Sequence, residues 1–186
     1  MSEAKILQST NLIESTVLTD PGLAELYRER KSENGVTIFI PNWIFGVIHK
    51  LQRDLHSLKG RRVALLGLSF KPNTDDLRGT PSLAIAGALT SLGARVVGFD
   101  PVAGKAAARL APDIQAVFDP YEALSGAHAA VVVTEWEEVR GPDPKKAASL
   151  MRDPKLNVDG RNALDAAASR EARLLYRDFG RGYDTG

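Results

Sequence analysis

An α/β fold, a three-layer Rossmann-like parallel sheet preceded by a helix, is predicted by three observations. Short apolar runs at 62–66, 95–99, 129–133 and 156–158 each have the length of a buried strand. Stretches with helical spacing lie between them, at 82–92, 102–110, 120–125 and 144–151. Strand and helix in alternation require parallel pairing through right-handed crossovers, which stacks helices on both faces of one sheet.

The first element is a helix. Ile44, Ile48, Leu51, Leu55 and Leu58 recur at spacings of four and three, giving one apolar stripe along residues 43–58. Such a stripe packs on its own domain or on a partner, and the spacing leaves both open. Residues 62–66 form the first strand, and residues 67–82 turn the chain from strand to helix. Thr80 stands where it can cap that helix, Pro81 suits its first position, Ile85, Leu89 and Leu92 share one face, and Gly93 stops it. The second strand, 95–99, ends at Asp100-Pro101. That pair is either the acidic position at which a dinucleotide fold holds a ribose hydroxyl or a turn signal. Residues 129–133 have the unbroken apolar character of a central strand; 156–158 form a shorter fourth, and 174–176 a last one. Residues 1–35 are polar, with a short helix expected at 21–31, and no internal repeat or low-complexity tract stands out.

Composition narrows the functional classes. The 186 residues suffice for one well-buried domain and an appendage. A formal net charge of +1 gives no single-sign field for nucleic acid or an anionic membrane. The absence of cysteine removes disulfide frameworks and thiolate metal sites and suits a reducing compartment. No apolar run approaches the roughly 20 residues of a membrane span, so a soluble, cytoplasmic protein is expected. His49, His56 and His128 are scattered, and the adjacent Asp75 and Asp76 have no histidine nearby in sequence, so no metal site is expected. Basic residues at 170–181 are mixed with Glu171 and Asp178, a solvated surface rather than a nucleic-acid patch.

Three separated pieces carry a resemblance: Phe70-Lys71-Pro72-Asn73-Thr74-Asp75-Asp76-Leu77-Arg78, then Thr134-Glu135-Trp136, then Asp159-Gly160-Arg161-Asn162. In this order they resemble the C-terminal UDP-binding domain of the UDP-glucose/GDP-mannose dehydrogenase family, and the last two favour its UDP-glucose 6-dehydrogenase branch. The resemblance spans about residues 41–181. It implies an unmatched leader at 1–40, a remnant of the family's central connecting helix at 41–60, and a UDP-sugar-binding Rossmann-like domain at 61–186. Family members oxidise the sugar C6 alcohol to a carboxylate with two hydride transfers to NAD, the second through a thioester on a cysteine. This chain has no cysteine and no G-x-G-x-x-G fingerprint, since Ser69 and Pro72 follow Gly67 where further glycines are needed. It therefore resembles one domain of a dehydrogenase, with no catalytic residue of its own and no NAD bound by the chain alone.

For the site, the resemblance sends Phe70 and Lys71 to the UDP moiety, Arg161 to the UDP-sugar, and Arg78 to NAD held on a separate domain. A lysine at the carboxyl end of a first strand suits phosphate, and a planar guanidinium suits a pyrophosphate. The plain alternatives are a solvated loop for Lys71, a simple turn for Arg161, and pairing among Asp75, Asp76 and Arg78. Gly160 serves a close backbone approach or a positive backbone angle, and Trp136 either borders the crevice or packs. Expected partners are UDP or a UDP-sugar, with a homodimer through the helix at 43–58 or a separate NAD-binding domain. Two functions follow: the UDP-sugar-binding part of an NAD-dependent enzyme converting UDP-glucose to UDP-glucuronate, inactive alone; or a free-standing nucleotide-sugar-binding or protein-interaction module.

Overall fold

The computed structural model describes residues 42–179, so the expected leader at 1–40 and its helix at 21–31 lie outside the described residues. Helix α1 (Asn42–Leu55) leads into β1 (Arg62–Leu66), followed by α2 (Pro81–Ser91), β2 (Arg95–Phe99), α3 (Gly104–Leu110) and β3 (Ile114–Val117). The second half runs α4 (Pro120–Leu124), β4 (Ala129–Val132), α5 (Glu137–Arg140), α6 (Pro144–Leu150), β5 (Leu156–Asp159), α7 (Ala166–Glu171) and β6 (Leu175–Arg177). All six strands are parallel, in the order β3-β2-β1-β4-β5-β6. This is the three-layer α/β arrangement that the alternation of elements requires.

Several boundaries and three elements differ from expectation. Strand β3 escapes a search for apolar runs because it lies at the sheet edge, where only Ile114 and Val117 of Ile-Gln-Ala-Val are buried. Helices α5 and α7 have four and six residues, too few to show a period. Helix α1 stops at Leu55 because His56 adopts φ 60°, a left-handed conformation no helix continues through. Thr80 occupies the N-cap position without capping: its hydroxyl donates to the Leu68 carbonyl (2.8 Å) instead. Gly93 ends α2 as expected, at φ +80°, with its N–H on Thr90 O and that of Ala94 on Leu89 O, both 2.9 Å.

The sheet divides the core in two. On one side Val63, Leu65, Val131 and Leu156 meet Ile85 and Leu89 of α2 and the stripe of α1. On the other Leu66, Val97 and Val132 meet Leu124, Trp136 and Met151. Ile44, Ile48, Leu51, Leu55 and Leu58 are all buried in the first layer, Leu51 completely. Leu51 and Leu55 alone contribute about 1.5–3 kcal/mol each. The stripe is therefore the domain's own core, and a dimer through α1 would have to use another of its faces. Asp54 ties this helix to the far edge of the sheet, accepting from Arg53 and from Arg177 Nε of β6 at 2.8 Å each. Burial works to raise its pKa, but the two arginines outweigh it and bring it down to about 2.

Candidate functional site

Between β1 and β4 the strand order reverses, so the helices that follow them leave on opposite faces and open a crevice at the strands' carboxyl ends. The loop after β1 starts at Gly67, whose φ of +85° suits glycine. A Cβ there would also stand 2.5–2.7 Å from Thr134, because the loops after β1 and β4 touch at this point. Thr134 Oγ1 donates to the Ser69 carbonyl (2.5 Å), while Trp136 Nε1 donates to Ser69 Oγ (3.0 Å) and Asp100 Oδ2 (3.1 Å). Trp136 is 5% exposed, so it packs beneath the crevice.

Asp100, at the end of β2, is the anchor of this loop. Its Oδ2 accepts from the N–H groups of Leu68 (2.8 Å) and Ser69 (2.9 Å), from Ser69 Oγ (2.9 Å) and from Trp136; its Oδ1 accepts from Val102 N (3.0 Å) and Ala103 N (2.7 Å). Burial alone would raise its pKa, and the converging backbone donors overcome that and lower it. With every lone pair engaged and the side chain buried, Asp100 is a structural turn anchor. Asp159 plays the same part at the end of β5, accepting from Arg161 N (3.1 Å), Ala163 N (3.1 Å), Leu164 N (2.8 Å) and Tyr176 Oη (2.8 Å).

Above these anchors lie the exposed groups. Phe70 is 55% exposed, and its N–H donates to Asp76 O (2.9 Å), closing the loop. Lys71 is exposed and forms no ion pair among the described residues. Arg78 makes a forked contact to Asp76, Nε to Oδ1 at 2.9 Å and Nη2 to Oδ2 at 2.8 Å, which lowers Asp76 to about pKa 2. Pairing within the acidic run is thus present, although Asp75 takes no part in this fork.

Arg161, carried by the turn after β5, reaches across to Glu135 of the loop after β4: Nε to Oε2 at 2.6 Å and Nη2 to Oε1 at 2.9 Å. The pair lowers the Glu135 pKa and raises that of Arg161. Gly160 permits the close approach, since a Cβ there would stand 2.7 Å from Val132 O and 3.3 Å from the Trp43 ring. The positive backbone angle belongs to Asn162 instead (φ 53°), whose amide pairs with the backbone of Phe179 (2.7 and 3.2 Å).

The three sequence pieces therefore meet along one edge of the sheet. Thr134 and Trp136 brace the loop of Phe70 and Lys71, and Glu135 braces Arg161. The roles of Ser69, Asp100 and Glu135 needed the fold to appear. Dinucleotide binding within this domain does not fit: Asp100, at the ribose position of such folds, has no free acceptor, and no glycine-rich turn precedes it. Among the described residues no group of three histidine, aspartate or glutamate side chains could hold a metal, and His128 Nδ1 accepts from Arg62 N (3.2 Å). A pocket of about 390 Å³ lies between the sheet and α6 and α7, lined by Met151, Asn157, Leu164, Ala168 and Leu174 among others. None of Phe70, Lys71, Arg78 and Arg161 lines it.

Residues 64–166, more than half of the chain, match the family model described as the UDP-glucose/GDP-mannose dehydrogenase family, UDP binding domain. The chain belongs to this family. It is 46% identical over 129 residues to a UDP-glucose 6-dehydrogenase of Pseudomonas aeruginosa, covering 66% of this chain and 28% of the relative. A UDP-glucose 6-dehydrogenase of Rhizobium meliloti is 41% identical over 124 residues, with 67% of this chain and 28% of the relative covered. The structure of a UDP-glucose dehydrogenase from Pyrobaculum islandicum superposes with a TM-score of 0.57 at 32% identity, covering 74% of this chain and 29% of that one. The chain thus carries the family's UDP-binding domain and spans under a third of the length of these relatives. Among the described residues no helix is long and apolar enough to cross a membrane.

Proposed function

We propose that the carboxyl edge of β1, β4 and β5 binds UDP or a UDP-sugar, with Phe70 and Lys71 on the nucleotide and its phosphates and Arg161 on the pyrophosphate or sugar. The observation that carries this reading is the placement of two cationic side chains, Lys71 and Arg161, above buried anchors at the switch point of a parallel sheet, where ligands of such sheets bind. We assign the domain to an NAD-dependent UDP-glucose 6-dehydrogenase that forms UDP-glucuronate, in keeping with the names of its relatives, with a cytoplasmic location. NAD belongs to a separate domain in this reading, and we assign to it Arg78, whose side chain is 91% exposed. Without a cysteine or a dinucleotide fingerprint, the 186-residue chain alone, given UDP-glucose and NAD, forms no NADH. A free-standing nucleotide-sugar-binding or protein-interaction module is the second reading, favoured by the same lack of a thioester-forming residue.

Calorimetric titration of UDP tests the assignment. Loss of a charge-assisted contact costs about 1.5–3 kcal/mol, so Lys71→Ala and Arg161→Ala each weaken UDP binding by roughly tenfold or more. Arg78→Ala leaves UDP affinity unchanged. Equal weakening by Arg78→Ala would overturn the division of roles, and a wild-type chain with no UDP heat would overturn UDP binding itself.

A further inference from the structure

The Arg161 guanidinium, assigned above to the ligand, is already occupied. Glu135 meets it in a fork, with Nε–Oε2 at 2.6 Å and Nη2–Oε1 at 2.9 Å, the geometry in which a guanidinium binds a carboxylate or a phosphate with two parallel bonds. The same two N–H groups are the ones a phosphate would take. We propose that Glu135 is a built-in competitor for the ligand's phosphate: it closes on Arg161 in the free protein, yields only to a group that offers two acceptor oxygens, and so sets both the affinity and the selectivity of the site. This inference rests on the UDP-binding reading and adds a residue with a defined role to it.

The backbones on either side of the pair are fixed while the side chains are not enclosed. Glu135 stands between Thr134 and Trp136, both bonded to Ser69, and Arg161 N is held by Asp159. The Arg161 side chain is 41% exposed and that of Glu135 33%. An ion pair with that much access to water is weak, worth a few-fold in an equilibrium, so a phosphate can displace the carboxylate. Arg140, at the end of α5, also acts on Glu135 through space, so the displaced carboxylate keeps a cation nearby. A neutral nucleoside offers no pair of anionic oxygens. It leaves the fork closed.

The test titrates UDP and, separately, uridine into the 186-residue chain and its variants. Glu135→Ala tightens UDP binding by about three- to tenfold, Glu135→Gln by about two- to threefold, and neither changes uridine binding. General charge repulsion would also predict tighter UDP binding, and the double variant separates the two. With Arg161→Ala already present, Glu135→Ala changes UDP affinity by less than about 1.5-fold if the fork is the cause, and gives the full gain if repulsion is. Weaker binding in Glu135→Ala, or the same gain without Arg161, overturns the proposal while leaving UDP binding intact. If wild type binds no UDP, or Arg161→Ala binds as wild type does, the underlying assignment falls instead. Glu135→Gln keeps the question decidable if the alanine variant fails to fold.

Discussion

Replacing Asp100 with asparagine removes one charge and swaps one acceptor for a donor without changing shape, and the structure fixes what that costs. If the new NH2 takes the place of Oδ2, it faces three N–H donors, from Leu68, Ser69 and Trp136; if it takes the place of Oδ1, it faces two, from Val102 and Ala103. The second orientation is the less costly. It still forfeits two hydrogen bonds to a charged acceptor, at about 1.5–3 kcal/mol each. A buried amide is less costly to desolvate than a carboxylate, so the net loss belongs at the lower end, about 3 kcal/mol. For a chain of this size that lowers the melting midpoint by roughly 6–12 °C. Thermal and urea melts followed by circular dichroism provide the comparison, at neutral pH where the wild-type carboxylate is ionised. Asp100→Asn within about 1 kcal/mol of wild type would refute the view that this side chain anchors the loop beneath Phe70 and Lys71.

Two further predictions concern stability. Asn157 is buried with Oδ1 unpartnered, and Leu has nearly its shape, so Asn157→Leu stabilises the fold by about 1 kcal/mol in a urea melt; destabilisation of that size would mean a bridging water satisfies the amide. Asp54 and Asp76 both titrate at about 2 when folded, against an ordinary value of 3.8. Folded carboxylates depressed in this way add stability that is complete above about pH 5 and lost as the pH falls towards 2. Because the arginines around Asp54 are about a third exposed, screening trims its share to about 1–2 kcal/mol. Asp54→Asn therefore destabilises at pH 7 and converges with wild type near pH 2; a difference independent of pH would remove the ion-pair explanation.

The fold was legible where burial is complete and obscure where it is partial. Strands β1, β2 and β4 are buried on both faces and read directly as apolar runs, whereas β3 at the edge needs only Ile114 and Val117 inside and shows no run. The helix stripe was visible, but its destination was not, because apolar spacing is the same whether a helix closes its own core or another's. In the site, the exposed cations were readable from the motif, and the Asp76–Arg78 pair from proximity in sequence. Asp100 was ambiguous because most of its donors come from other loops, and Glu135 was invisible as Arg161's partner, 26 residues away in sequence. Contacts between loops are set by strand order. No local pattern encodes them.

That strand order also explains why three short, separated pieces act as one object. Strands β1, β4 and β5 are neighbours, so their following loops emerge side by side, and residues far apart in sequence stand within hydrogen-bond reach. A buried tier of Ser69, Asp100, Thr134 and Asp159 fixes the loop backbones, each polar atom matched to a donor or acceptor of a neighbouring loop or turn. An exposed tier of Phe70, Lys71, Arg78, Glu135 and Arg161 rides on it, with its charges either free or held in exchangeable forks. Substitution in the lower tier moves several upper groups together, so on the proposed reading stability and UDP binding fall in step. On the proposed UDP-binding reading, substitution of Lys71, Glu135 or Arg161 in the upper tier changes UDP affinity with either sign, according to whether the lost side chain held the ligand or competed with it, whereas Arg78→Ala changes only its pairing with Asp76.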